Sequence, residues 1–440
     1  MIKKLFQNQR EKEEKESWLL SQDSVAKFFF YLLILFLPTQ FGKHFWPQFS
    51  FIQGLRLDYL SPTIYLTDIL ILLIIFFSLK KILIFLKTQN KKNIYLILLF
   101  FLSLFVGVAT SKNQQAGFYG IIKVIEYILL GIFVATSFKE INKKYFMYIL
   151  ISGIVFESIL SILQILNNGS LNGLFYYFGE RYFTSQTPGI ANASISGQLF
   201  LRPYGTFPHP NVLAGYLIIA MGFILKFKNT ISKRLLFLSI LIGTTSLALT
   251  LSRIAILFWF TYLFFLFCIS LREKYKKRNS SKKNTITITI IILSSALMFI
   301  FSLQMPFVQR FTQTKFSEES VVQREYLINQ SWGMFIKNPM LGVGINNFYN
   351  NLENSKEKSL FIQPVHNIFL FVLSQAGLIG LIYFLFVLYK NLKNVNKSGF
   401  LLISALIVLG MFDHYFLTIQ QGQIMILLIF SQAFSVKINK

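Results

Sequence analysis

Cysteine is almost absent from this 440-residue chain, which has one, Cys268, inside an apolar run. A single thiol excludes an internal disulfide and a thiolate metal site, so nothing covalent staples the loops. Acid is scarce as well. Asp and Glu total 18 against 43 Lys and Arg, and the only aspartates are Asp23, Asp58, Asp68 and Asp413. No Asp-x-Asp pair occurs, so the acidic metal cluster of many membrane glycosyltransferases is missing. His-Glu-x-x-His and Gly-x-Ser-x-Gly are absent too, which argues against a zinc protease and a serine hydrolase elbow. Charged residues make up 14% of the chain, where a soluble domain carries roughly a quarter.

Apolar sequence fills the space that charge leaves. Hydrophobic residues account for 54%, Phe alone for 50 positions, and the mean hydropathy is +0.55. A soluble fold of this length could not hide that much apolar surface. The expected fold is all-α, a polytopic membrane protein of about twelve transmembrane helices. Spans of the length that a hydrocarbon core of about 30 Å requires fall at 24–41, 66–86, 93–111, 117–138, 145–166, 210–227, 234–250, 253–271, 285–304, 365–389, 399–414 and 419–436. The last two are short enough to form one re-entrant pair. The first residues are polar and of mixed sign, and no small-residue cleavage site follows the first apolar run. No cleavable signal peptide is therefore expected, and residues 1–23 read as a cytoplasmic arm.

The net charge of +25 is explained by topology. With the N-terminus inside, thirty Lys and Arg lie on the inner segments, twelve on the outer ones, and Lys123 within a span. That bias orients the chain, with both termini cytoplasmic, and most of the excess attracts anionic lipid, not nucleic acid. The expected organisation is the arm, N-terminal helices over 24–166, an outer loop 167–209, central helices 210–304, a large outer loop 305–364 and C-terminal helices 365–436. His44, His209, His366 and His414 all fall on the outer side, so any chemistry belongs there. In the large loop, Ser320-Val-Val-Gln323 is a capping-box pattern, Val321, Ile328, Trp332 and Phe335 recur at helical spacing, Pro339 stops the helix and Gly342-Val-Gly344 turns the chain. This predicts an amphipathic helix lying in the outer interface.

Candidate residues gather at that same level. Arg202 opens a proline-rich segment ending at Asn211, which can cap the following helix. Arg253 follows a tight turn, Arg324 lies on the amphipathic helix, and His366 stands with Asn367 at the mouth of the tenth span. Arginine forks onto phosphate oxygens with a permanent charge, and several converging at a membrane surface suit a lipid diphosphate. The alternative is that each snorkels to a headgroup. His366 suits general-base work, or else a helix cap. His209 reads as a loop-packing residue. His414 beside Asp413 is a second polar cluster. Lys123 and Glu126 share one face of the fourth span, where intramembrane charges usually pair, though Lys123 could reach a phosphate from below. Glu157 stands alone in the fifth span without an assignment.

These residues sit in recognisable company. Arg-Pro-Tyr-Gly-Thr-Phe-Pro-His-Pro-Asn-Val-Leu-Ala-Gly-Tyr (202–216), Leu-Ser-Arg (251–253), Arg324 followed by Trp332 and Asn-Pro-Met-Leu-Gly-Val-Gly-Ile-Asn-Asn-Phe (338–348), and Val-His-Asn-Ile-Phe-Leu (365–370) followed by Gly-Leu-Ile-Gly (377–380) resemble, in order and spacing, the O-antigen ligase and polymerase family. The resemblance runs from about residue 200 to 385. It implies a C-type glycosyltransferase-like fold in the bacterial plasma (inner) membrane. It also implies transfer of a glycan from a polyprenyl-diphosphate carrier to an acceptor hydroxyl, on a glycan or a lipid-linked acceptor, at the outer face. No metal or other cofactor is implied. By the same resemblance Arg202, Arg253 and Arg324 would bind the diphosphate and His366 would deprotonate or orient the acceptor, with Arg253, Arg324 and His366 as the catalytic set. Lys123 is an added phosphate candidate, and His209, Asn211, Asn367 and His414 are secondary ones. A multi-pass transporter or flippase of lipid-linked glycans is the alternative, but such carriers bind near the midplane, and the polar residues here gather at the outer edge.

Overall fold

The computed structural model describes residues 22–195, 198–276, 296, 319–352, 362–395 and 397–431. The N-terminal arm up to residue 21, the expected span 285–304 apart from residue 296, and residues 305–318 and 353–361 of the expected outer loop lie outside the described residues. A helix occupies each of the other expected spans. We label them α1 (22–35), α2 (Leu66–Lys87), α3 (Lys91–Ala109), α4 (Gln114–Ser137), α5 (Lys143–Asn167), α6 (Pro210–Lys226), α7 (Lys233–Leu249), α8 (Arg253–Lys276), α9 (Glu319–Lys337), α10 (Ile368–Asn394), α11 (Lys397–Phe412) and α12 (Gln420–Ser431). Five of these, α2, α3, α4, α5 and α10, are long and apolar enough to cross a membrane. The described part of α12 has 12 residues, about 18 Å at 1.5 Å per residue.

Apolar side chains point both ways. The centre of the bundle is α6, whose residues from Val212 to Ile224 are buried without a polar face. Protein encloses it on every side, so it needs no polar stripe. It packs on α7, α11, α5 and α8. The outward faces carry Leu72, Phe76, Leu99, Leu102 and Ile122, all strongly exposed. A soluble surface would not present so continuous an apolar band, and lipid is the solvent that accepts it.

The two ends of the bundle differ. At one end Lys27 pairs with Glu140 at 2.7 Å, and Lys81 reaches Asp23 at 3.1 Å and Glu140 at 3.3 Å. At the other end lie the long loops. The helical reading is supplemented there by three antiparallel strand pairs, β1 (Gly42–His44) with β4 (Thr63–Tyr65), β2 (Phe51–Ile52) with β3 (Leu55–Arg56), and β5 (Asn192–Ile195) with β6 (Gln198–Leu201).

The glycine-rich loop after α9 docks into a break in α10. Gly377 leaves the helix with φ 62°, and a Cβ there would run into Met340 O. The break frees the carbonyls of Ser374 and Gln375, which accept Val343 N at 2.9 Å and Gly344 N at 3.0 Å, while Leu378 N donates to Pro339 O at 2.9 Å. Two glycine motifs far apart in sequence thus form one joint that fixes α9 against α10. Pro339 follows the end of α9, as the sequence predicts. Ser320 and Gln323 of the expected capping pattern lie in α9, whose described residues begin at Glu319. Leu327, Ser331 and Met334 face inward, and Ile328, Trp332 and Ile336 are exposed.

Candidate functional site

Backbone geometry at the start of α6 determines where Arg202 points. Pro210 takes the first helical position, so His209 becomes the cap, its Nδ1 accepting Asn211 N at 3.1 Å. This corrects the expectation that Asn211 caps this helix. Asn211 instead bridges two charged groups: its Oδ1 accepts Arg202 Nη2 at 2.8 Å, and its Nδ2 donates to Asp413 Oδ2 at 2.8 Å. Arg202, only 6% exposed, also donates from Nε to Thr250 O at 2.8 Å. Thr250 ends α7, and Leu251 follows with φ 51°, the tight turn expected before Arg253. Arg202 therefore holds the turn that presents Arg253.

His366 precedes α10, but it is not the cap. Asn367 Oδ1 accepts Phe369 N at 2.9 Å and Leu370 N at 3.0 Å. The imidazole is left for other work. Its Nδ1 lies 3.6 Å from Asp413 Oδ1, and its ring centroid is 5.0 Å from that of His414. His414 is anchored in turn, with Nδ1 2.7 Å from Thr418 Oγ1 and Tyr59 set edge-on to its ring. Asp413 was legible in the sequence only as the neighbour of a histidine. The structure makes it the group that links His366, His414 and, through Asn211, Arg202. The available signal was its rarity: one of four aspartates, in the turn between two apolar segments.

Burial would make Asp413 harder to ionise, but the neighbouring His366, His414 and His209 reverse this and hold it well below the usual carboxylate range. Burial pushes His209 down to about 3, helped by Arg202, and burial likewise pushes His414 down to about 3 against the attraction of Asp413. Both imidazoles are thus neutral in the folded protein at pH values where an unfolded chain, with histidines near 6.5, binds protons. For these two groups the unfolded state binds more protons in that window, so the stability they contribute falls as pH drops from about 6.5 toward about 3. The thermal midpoint of the detergent-solubilised protein should fall between pH 7 and pH 4 relative to that of the double variant His209→Asn with His414→Asn. Identical pH dependence in the wild type and the double variant would contradict the burial of these rings.

Ligand atoms of His366, Asp413 and His414 lie within 4.8 Å of one another, close enough for one ion to touch all three. The carboxylate is already engaged, accepting His414 N at 2.8 Å besides Asn211. Arg202, Arg253 and Arg324 line the same cavity and oppose a dication there. This donor set fits an acid–base cluster better than a metal.

One cavity of about 1300 Å³ gathers Arg202, Arg253, Arg324, Lys123, His209, Asn211, His366 and His414; Asn367 is not on its wall. It exceeds the roughly 300–1,000 Å³ of small-molecule pockets. Leu104, Val124, Ile128, Val387, Leu427 and Phe430 add apolar lining from α3, α4, α10 and α12. Tyr59, Ser61 and Thr63, from the segment between α1 and α2, form another wall. Lys123 has its ammonium between Asp68 at 2.7 Å and Glu126 at 2.6 Å. Asp68 also accepts Gln420 Nε2 at 2.6 Å, so this cluster ties α2 and α4 to the first residue of α12, just beyond the Asp413–His414 turn. Two carboxylates on one ammonium leave no surplus positive charge for a phosphate.

Residues 235–385 match the family model described as O-antigen ligase. No curated protein matches the chain. The matched stretch contains Arg253, Arg324, His366 and both halves of the glycine joint, while Arg202, Asp413 and His414 lie outside it.

Proposed function

We propose that this chain, a member of the O-antigen ligase family by its residues 235–385, moves a glycan from a polyprenyl-diphosphate carrier to an acceptor hydroxyl at the outer face of the bacterial plasma membrane. The observation that carries the reading is the convergence on one partly apolar cavity of three arginines and His366, whose Nδ1 lies 3.6 Å from Asp413 Oδ1. The apolar lining suits a polyprenyl tail, and the guanidinium groups suit the diphosphate. In the step we infer, an acceptor oxygen attacks the anomeric carbon as the bond from that carbon to the diphosphate oxygen breaks. The acceptor proton passes to His366, and the configuration inverts. Asp413 lies on the Nδ1 side of His366, so Nε2 is the nitrogen left for the acceptor, and the carboxylate favours the imidazolium that forms. Charge on the leaving diphosphate is met by Arg202, which Thr250 O and Asn211 hold in place, by Arg253 at the start of α8 and by Arg324 on α9.

Purified protein with a synthetic polyprenyl-diphosphate oligosaccharide, chelator and candidate acceptors provides the test. Release of polyprenyl diphosphate coupled to a larger glycan is the expected result, and the product distinguishes a ligase from a polymerase. Absence of turnover, with carrier-linked glycan crossing a vesicle membrane, would make the protein a flippase.

A further inference from the structure

Glu157 is fully buried in the middle of α5, and among the described residues no cation pairs with it. An isolated carboxylate at such depth is costly, so its hydrogen bonds must be accounted for. Oε2 accepts Thr206 N at 2.9 Å. Oε1 lies 2.7 Å from Thr206 Oγ1, and the same hydroxyl lies 2.9 Å from Pro38 O. A threonine hydroxyl has one proton. If Glu157 is a carboxylate, that proton goes to Oε1 and Pro38 O loses its donor. Among the described residues Pro38 O has no other. If Glu157 is a carboxylic acid, Oε1–H donates to Thr206 Oγ1, which donates to Pro38 O, and every group is satisfied.

The loop that receives this contact is the one that carries Arg202 and His209. Two turns further along α5, Gln164 takes Tyr204 N at 2.9 Å and Gly205 N at 2.8 Å on its Oε1 and gives its amide to Gly205 O at 2.9 Å. Gly205 has φ 58°, and a Cβ there would run into Glu157 Oε2. Gln40 Nε2 donates to Thr206 O at 2.6 Å. One face of α5 therefore holds the backbone of 204–206 in a single shape.

We propose that Glu157 is a positioning residue that works as a neutral acid, keeping a proton on Oε1 so that the loop 202–209 sets Arg202 and His209 at the cavity. The positioning of Arg202 toward a diphosphate rests on the proposed function; the proton and the loop do not.

The isosteric variant decides the point. In Glu157→Gln the amide nitrogen can donate to Thr206 Oγ1 and the amide oxygen can accept Thr206 N, reproducing the acid and not the anion. Three readouts on the full chain in nanodiscs separate the cases. Infrared difference spectra of wild type against Glu157→Gln at pH 8 should contain the carbonyl stretch of a protonated carboxylic acid; a carboxylate band instead overturns the proposal. Hydrogen exchange in peptides covering 202–209 should match wild type in Glu157→Gln and rise at least about tenfold in Glu157→Ala, with α10 unchanged; equal acceleration in both variants also overturns it. Synthetic polyprenyl diphosphate without sugar should bind Glu157→Gln within about twofold of wild type and Glu157→Ala about tenfold more weakly. If wild type fails to bind that lipid, the proposed function fails, and the infrared and exchange results still stand on their own. If Glu157→Ala does not fold, Glu157→Gln alone answers, because an essential anion would leave it as defective in exchange as in binding.

Discussion

Replacing His366 with alanine should lower turnover by about two to four powers of ten while changing the affinity for carrier-linked donor by no more than about twofold. The asymmetry follows from where the imidazole sits. Its Nδ1 is on the Asp413 side of the ring, and its value lies in accepting a proton as the acceptor oxygen forms its new bond. Before that moment the donor gains little from it, so the loss falls on the transition state and appears in kcat. The substitution should leave the fold intact, because the start of α10 is capped by Asn367 and not by His366. Asp413→Asn should have a related but mixed phenotype. It removes the charge that favours the imidazolium, but it also disturbs the bond from Asn211, and through it Arg202. Single-turnover rates at saturating donor, set beside equilibrium binding of the same donor, separate the two effects. A His366→Ala protein that binds donor poorly but turns over normally once loaded would exclude the base role.

How far the sequence reaches depends on whether the determining contact is local. Apolar runs are local, and a helix lies in each expected span among the described residues. The proline-rich segment, the turn before Arg253 and the stop at Pro339 are local too. The cap of α6 was assigned to the wrong residue because Asn is the stronger capping type and the sequence alone does not show that Asn211 is claimed by Arg202 and Asp413. Contacts across long separations were illegible. Lys123 has a visible neighbour in Glu126, but its second carboxylate, Asp68, comes from another helix 55 residues away. Glu157 looked isolated because its partner, Thr206, is 49 residues away in a loop. The break at Gly377 makes sense only with the Pro339–Gly344 loop lying against it. The strand pairs over 42–65 escaped notice because each is two or three residues long, too short for alternation to register.

Arg253 and Arg324 carry the second large prediction, since they reach the cavity from independent supports. Arg253 opens α8 behind a turn pinned by Arg202, whereas Arg324 projects from α9, which is fixed to α10 by the glycine joint. Alanine at either position should cost about two to three powers of ten in transfer, the scale found when one preorganised partner of a developing negative charge is removed. The two losses should fall short of adding if both groups serve the same diphosphate. Lysine should recover only part of the activity at each site, because a point charge cannot fork across two phosphate oxygens. Membrane insertion should be unaffected, since neither side chain belongs to the buried face that packs the bundle. The discriminating measurement compares a polyprenyl diphosphate with the uncharged polyprenol of equal length. Arg253→Ala and Arg324→Ala should weaken binding of the first and leave the second unchanged. Equal weakening of both lipids would place the arginines in tail packing, and full activity in both variants would return them to anchors for phospholipid headgroups, leaving Arg202 alone to meet the charge.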